Sequence, residues 1–163
     1  AAAICFFPVD ARSFGGLSHR IEEFFEWRGI RFVDDSKGTN VDAAVRALET
    51  VQAPVVWVAG GVDKGGDYGP LVAPLKERAR AAVVVGASAP RMAATLRDAV
   101  SLTVARDWPE AVRLAVGAAQ AGDTILLSPA CSSFDFFSNY RERGEVFQRL
   151  CRAETERRGR GDA

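Results

Sequence analysis

The sequence predicts an α/β domain with a doubly wound, mostly parallel six-stranded sheet that opens on a β-hairpin. Three observations carry this. Apolar runs such as "PVVWVAG" at 54–60 are continuous, as in strands covered on both faces. Segments with helical spacing lie between those runs. Before the alternation begins, two short β-prone runs, 20–26 and 30–34, flank a Trp-Arg-Gly turn. Strands alternating with helices give a parallel sheet, and right-handed crossovers place helices on both of its faces.

In order after the hairpin, "TNVDAAVRALETV" carries Val41, Ala44, Val45, Leu48 and Val51 at helical spacing. Thr39 reads as its N-cap, with Asp42 three residues on. The strand 54–60 follows, with Trp57 expected in the core. "GPLVAPLKERAR" at 69–80 reads as a helix with Pro70 in its first turn; Pro74 delays the start or bends it. "AAVVVGAS", "VSLTVA" and "DTILLSP" read as strands, and "PRMAATLRDA" and "DWPEAVRLAVGAAQ" as helices, with Trp108 packing at a helix start. The last helix is "NYRERGEVFQRLCRAE", weakened by Gly144. Arg141, Arg143 and Glu145 read as its solvated face. The polar tail, 154–163, is expected to fray. The whole is a Rossmann-like arrangement.

Length and composition limit the function. A chain of 163 residues is about one domain. Lys+Arg and Asp+Glu are both 21, so the chain as a whole has no basic nucleic-acid footprint. No apolar run approaches the roughly 20 residues of a membrane span. Cys5, Cys131 and Cys151 have no metal-type spacing and are odd in number, as expected of reduced thiols in a cytoplasmic protein. The opening "AAAICFFPVDARSF" lacks the basic start of a signal peptide and is broken by Pro8 and Asp10. Residues 1–14 therefore read as a linker or the remnant of a preceding domain.

Ligands of such sheets sit beyond the carboxyl ends of the strands. Three polar stretches occupy those ends. "DDSKGTN" at 34–40 joins a strand to a helix N-terminus, where free N–H groups attract anions and Lys37 adds a charge. The same residue types also make a plain capped turn, and composition leaves both open. "GGVDKGGDYG" at 60–69 has Lys64 at its centre but neither the P-loop nor the dinucleotide spacing, so site and surface loop both stand. "SPACSSFDFFSNYRERGEVF" at 128–147 offers Cys131 or Ser133 as a nucleophile. The only histidine is His19, so Cys131 reads better as a small buried residue. Ser132, Ser133 and the turn's N–H groups suit a carboxylate, with Phe134 and Tyr140 as core or pocket wall.

Taken together, "GGLSHRIE", "DDSKGTN", "GGVDKGGDY" and "LLSPACSSFDFFSNYRERGEVF" resemble the C-terminal domain of the D-glutamate-adding Mur ligases. The resemblance runs from 15 to 147, its last motif is long and family-specific, and it implies a domain over 15–153. Ser18 stands where a proline is usual before the His-Arg pair, and Tyr140 where the family often has Phe. The family uses ATP, with Mg²⁺, to make an acyl-phosphate on a UDP-linked muramoyl-L-alanine, which the D-glutamate amine attacks. The resemblance implies that Lys37, Thr39, Lys64, Ser133, Phe134 and Tyr140 hold D-glutamate, and that Arg20 and Asp35 reach the adenosine. It implies no catalytic side chain and no metal ligand here. The phosphate-binding loop is not in this sequence, so the chain by itself is not expected to turn over ATP; other domains would bind the phosphates, metal ions and UDP-sugar. Two other readings are a stand-alone, non-catalytic amino-acid or nucleotide-binding domain, and a folylpolyglutamate-synthetase-like ligase domain, whose last loop would not carry "SPACSSFD".

Overall fold

The structure is a computed structural model, and its described residues are 17–161. The segment 1–14 and Cys5 lie outside the described residues. The hairpin pairs β1 (Glu22–Trp27) antiparallel with β2 (Ile30–Asp34). Arg28 and Gly29 join them, both at positive φ (51° and 76°), the backbone hand that matches strand twist in a two-residue turn. Then come α1 (Val41–Thr50), β3 (Val55–Gly60), α2 (Val72–Arg78), β4 (Ala79–Val85), α3 (Ala89–Leu96), β5 (Leu102–Ala105), α4 (Trp108–Ala118), β6 (Thr124–Leu127) and α5 (Tyr140–Gly161).

The six strands run in the order β1-β2-β6-β3-β4-β5, and every pair except β1–β2 is parallel. From β2 to β5 the chain steps across the sheet in one direction. Right-handed crossovers therefore set α1, α2 and α3 on one face. After β5 it turns back to lay β6 between β2 and β3, which puts α4 on the other face. Period-two alternation feeds both layers. Trp57, Ala59, Val84 and Leu126 join α1–α3, while Val56, Val58, Val85 and Leu127 join α4 and α5. Burying such side chains contributes about 1.5–3 kcal/mol each. The reversal leaves a switch point around β6, and the loops after β2, β3 and β6 meet there.

Several local expectations are corrected. The N-cap of α1 is Asn40, not Thr39; its side-chain oxygen accepts from the Ala43 N–H at 2.9 Å. α2 begins at Val72 after a 3₁₀ turn, Gly69–Leu71, so the start is delayed as Pro74 implied. Pro74 then falls in the first turn, where a missing N–H leaves no intrahelical bond unmade. The tail does not fray from 154. α5 continues to Gly161, with Glu154 paired to Arg157 and Arg158 and Thr155 buried. These i,i+3 and i,i+4 pairs extend the last turns where composition suggested disorder.

Candidate functional site at the strand ends

The loop after β2 is built on buried carboxylates. Asp34 is fully buried; its Oδ2 accepts from His19 Nδ1 at 2.7 Å and Gln148 Nε2 at 2.8 Å, and its Oδ1 from the Ser36 N–H at 2.8 Å. Asp35 Oδ2 accepts from Ser128 Oγ at 2.7 Å, and Oδ1 from the Ile21 N–H at 3.3 Å. Burial pushes the Asp35 carboxyl above its ordinary range, against the pull of those two donors. Lys37 is exposed above this base; its N–H donates to the His19 carbonyl, and its Nζ lies 5.8 Å from the Tyr140 ring centre.

His19 thus has a structural place. It is buried at φ 63°, and its neighbour across α5 is Gly144. A Cβ at Gly144 would collide with His19 Nδ1 and stand 2.6 Å from Asp34 Oδ2. The glycine that weakens the helix on paper is what admits the imidazole–carboxylate pair against it.

The loop after β3 is exposed from Lys64 to Asp67. Asp63 accepts from the Gly65 N–H at 2.7 Å and pairs with Arg91 of α3; Asp67 accepts from the Gly69 N–H at 2.8 Å. Val62 bridges to Ser132, which ties this loop to the one after β6. Ser132 is engaged through that bridge, with N–H and Oγ both directed at the Val62 carbonyl (3.1 and 3.2 Å). Cys131 is buried, its thiol 3.3 Å from Tyr68 Oη and from Ser88 Oγ. Burial, reinforced by the thiol, pushes the Tyr68 phenol upward. No imidazole contacts the thiol among these bonds, in keeping with its reading as a packed residue.

Two cavities open at this edge. One, of about 280 Å³, is lined by Thr39, Asn40, Asp63, Lys64, Tyr68 and Cys131, among others. Its acidic groups include Asp63 and Asp67, but Arg91 and the Gly69 N–H already engage them. The other, of about 380 Å³, is lined by Arg20, Ile21, Asp35, Lys37, Asn40 and Arg46, among others. Asn40 borders both. Of the sequence-derived residues, Thr39 and Lys64 meet in the first cavity, and Arg20, Asp35 and Lys37 in the second. Ser133, Phe134 and Tyr140 line neither: Ser133 is buried, Phe134 is 70% exposed, and Tyr140 stands at the start of α5 beside Lys37.

One residue reverses its sequence reading. Arg143 is not on a solvated face; it is fully buried, although Arg141 and Glu145 are exposed as expected. Its Nε donates to Ser36 Oγ at 2.9 Å, Nη2 to the Ser36 carbonyl at 2.8 Å, and Nη1 to the Cys131 carbonyl at 3.0 Å and the Gly60 carbonyl at 3.5 Å. Burial pushes the guanidinium down to about 10, so it stays charged at neutral pH. The signal was present in the sequence: Arg143, Phe147, Cys151 and Thr155 recur every fourth residue, and all four are buried.

Residues 19–131 match the family described as Mur ligase, glutamate ligase domain. The chain is 48% identical over 149 residues to a UDP-N-acetylmuramoylalanine–D-glutamate ligase of Ralstonia nicotianae, covering 91% of this chain and 30% of that protein. It is 51% identical over 137 residues to the ligase of the same name from Aromatoleum aromaticum, covering 83% and 29%. The chain thus spans less than a third of the length of these relatives. Among solved structures, the MurF ligase of Thermotoga maritima in complex with ADP shares the fold over 90% of this chain and 33% of its own, with a TM-score of 0.61 at 18% identity. The MurC ligase of the same organism does so over 86% and 31%, at 0.60 and 16%. By its sequence over 19–131 the chain belongs to the Mur ligases, of which it carries the glutamate ligase domain.

Proposed function

We propose that this chain is the amino-acid-binding domain of a ligase that uses ATP to join D-glutamate to UDP-N-acetylmuramoyl-L-alanine during peptidoglycan synthesis in the cytoplasm. The observation that carries the reading is the convergence of three strand-end loops, bearing Lys37, Lys64 and Ser133, in a chain whose relatives at 48% and 51% identity bear that ligase's name. D-Glutamate carries two carboxylates and must present an unprotonated amine. Lys64 and Thr39 from the first cavity supply an ammonium and a hydroxyl, and Lys37 supplies a second ammonium from the other side of Asn40, which borders both cavities; charge-assisted bonds to carboxylates are the strong ones. Ser133, Phe134 and Tyr140, which line neither cavity, would have to reach the amino acid from the β6 loop and the start of α5. Arg20 and Asp35 line the second cavity, where a cation and a carboxylate acceptor suit an adenosine with its ribose hydroxyls. ATP's phosphates and Mg²⁺ would be held by the rest of the longer ligase, and this domain's contribution is to deliver the amine in an attacking geometry.

The test is to replace Lys37 and Lys64 by Met, one at a time, in the ligase that contains this domain. A charge-assisted bond contributes about 1.5–3 kcal/mol, so each change is expected to weaken D-glutamate use by roughly 10- to 200-fold. The UDP-substrate KM should hardly move. Unchanged D-glutamate kinetics in both variants would remove the reading.

A further inference from the structure

We propose that Arg143 is a positioning residue of this site: its buried guanidinium clamps the loops after β2, β3 and β6 to the first turn of α5 and so fixes the bases of the loops that carry the two lysines. The inference rests on the amino-acid-binding reading above.

The bonds themselves make the argument. Ser36 sits between Asp35 and Lys37, and Arg143 holds both its carbonyl and its hydroxyl. Ser36 Oγ in turn donates to the Tyr140 carbonyl at 2.7 Å, so α5 grips the β2 loop twice. Gly60 opens the segment that leads to Lys64, and Cys131 precedes the Ser132–Ser133 turn; their carbonyls take the remaining Nη1 donor. One planar, rigid fork therefore spans three loops, which a lysine's single point of charge does not do.

The acceptors are a hydroxyl and backbone carbonyls rather than a carboxylate. A buried charge is costly, and a helix that only needed filling would carry an apolar residue here. The fold also makes room for the fork. Gly61, at φ 139°, lies where a Cβ would collide with the Ser132 carbonyl and stand 3.2 Å from Arg143 Nη1. Close approach of the three loops and the clamp between them belong to one arrangement.

The clamp divides the site unevenly. Asp35 is held by Ser128 and the Ile21 N–H, not by Arg143. Lys37 lines the same cavity as Arg20 and Asp35 but follows Ser36, which the clamp holds, so loosening it should disturb Lys37, Lys64 and Ser133 more than the separately anchored Asp35. A residue that only stabilised the fold would lower the active fraction and leave KM alone.

Arg143→Met and Arg143→Lys would be made in the ligase that contains this domain. In Arg143→Met the D-glutamate KM is expected to rise by at least about 10-fold, the loss of one charge-assisted bond's worth of positioning. The ATP KM should change by no more than about 3-fold, as at weakly coupled sites. Arg143→Lys should raise the D-glutamate KM too, by less. In parallel, amide hydrogen exchange should quicken in 36–38, 60–64 and 131–133 while β3 and β4 stay protected. A folded Met variant with a normal D-glutamate KM and wild-type loop exchange, or with only kcat reduced, overturns the proposal. If the Met variant does not fold, Arg143→Lys decides by the same criterion. A wild-type ligase that does not use D-glutamate at all would sink the functional reading instead, and loop exchange in the variants would still decide whether Arg143 is the clamp.

Discussion

The loops after β2 and β3 are near twins in composition and opposites in construction. Each follows a parallel strand and carries aspartate, lysine and glycine. In 34–40 the aspartates point inward and bond to distant parts of the chain: Asp34 to His19 and Gln148, Asp35 to Ser128. In 60–69 they bond mainly to their own turn: Asp63 to the Gly65 and Gly66 N–H groups, Asp67 to that of Gly69, with Arg91 the one partner from another element among these bonds. Long-range bonds to buried atoms fix a loop in the frame of the sheet. Local turn bonds give it a shape but leave its tip free to shift. Lys37 thus stands on a rigid base and Lys64 on an adaptable one, a division that suits the proposed function, in which a small dianion is first received and then enclosed.

The largest break in this comparison should come from Asp34→Ala. It strips the partner from a buried imidazole, a carboxamide and the Ser36 N–H at once. Removing one side of a buried pair typically costs about 3–5 kcal/mol, and a loss on that scale is expected from urea unfolding of the variant. A loss under about 1 kcal/mol would mean that the β2 loop is no better anchored than the β3 loop, and the contrast would fail.

Gly144→Ala should rank next, and its sign is informative. In an exposed helix this change stabilises by about 1 kcal/mol through propensity. Here the added methyl meets the His19–Asp34 pair, both buried and both tied to other groups. Overpacking of that kind costs about 1–3 kcal/mol, and displacing the pair adds to it, so the net effect should be destabilising. A raised melting temperature for Gly144→Ala would show that the pair moves aside freely.

Most of the fold was legible because its signals are local and repeated. The continuous run 55–60 and the later strands announce two-sided burial, and the positive-φ Arg28–Gly29 turn was visible as Trp-Arg-Gly. The misses share a cause. Thr39 and Asn40 are adjacent caps of similar chemistry, and a one-residue register decides between them. The tail's charge alone suggests disorder, whereas Glu154 sits three and four residues before Arg157 and Arg158 and turns that charge into helix. Arg143 looks solvated by residue type, but its place on the fourth-residue stripe is buried. The inward turn of Asp34 depends on His19 and Gln148, 15 positions before it and 114 after it. No spacing rule reaches that far, so the candidate loops could be found by sequence but not the way each is held.

The smallest effect is expected from Asp63→Ala, and it sharpens the comparison most directly. Asp63 meets Arg91 at the surface, where the arginine side chain is 50% exposed. Exposed pairs contribute about 0–1 kcal/mol and are screened by salt. The Gly65 and Gly66 N–H groups it leaves are exposed and can turn to water. Burial alone would raise the Asp63 carboxyl, but the Gly65 N–H, Arg91 and the Gly66 N–H together hold it below its ordinary 3.8. A carboxyl lowered in the folded state adds stability that is present above the unfolded value and is lost as pH falls through the folded one. Wild type and Asp63→Ala should therefore differ by less than about 1 kcal/mol in urea at neutral pH. That gap should narrow with added salt, and narrow again as the solution is acidified below 3.8. A loss comparable with that of Asp34→Ala, or one indifferent to salt and acid, would show that the β3 loop too is anchored from within, and Lys64 would then stand on as fixed a base as Lys37.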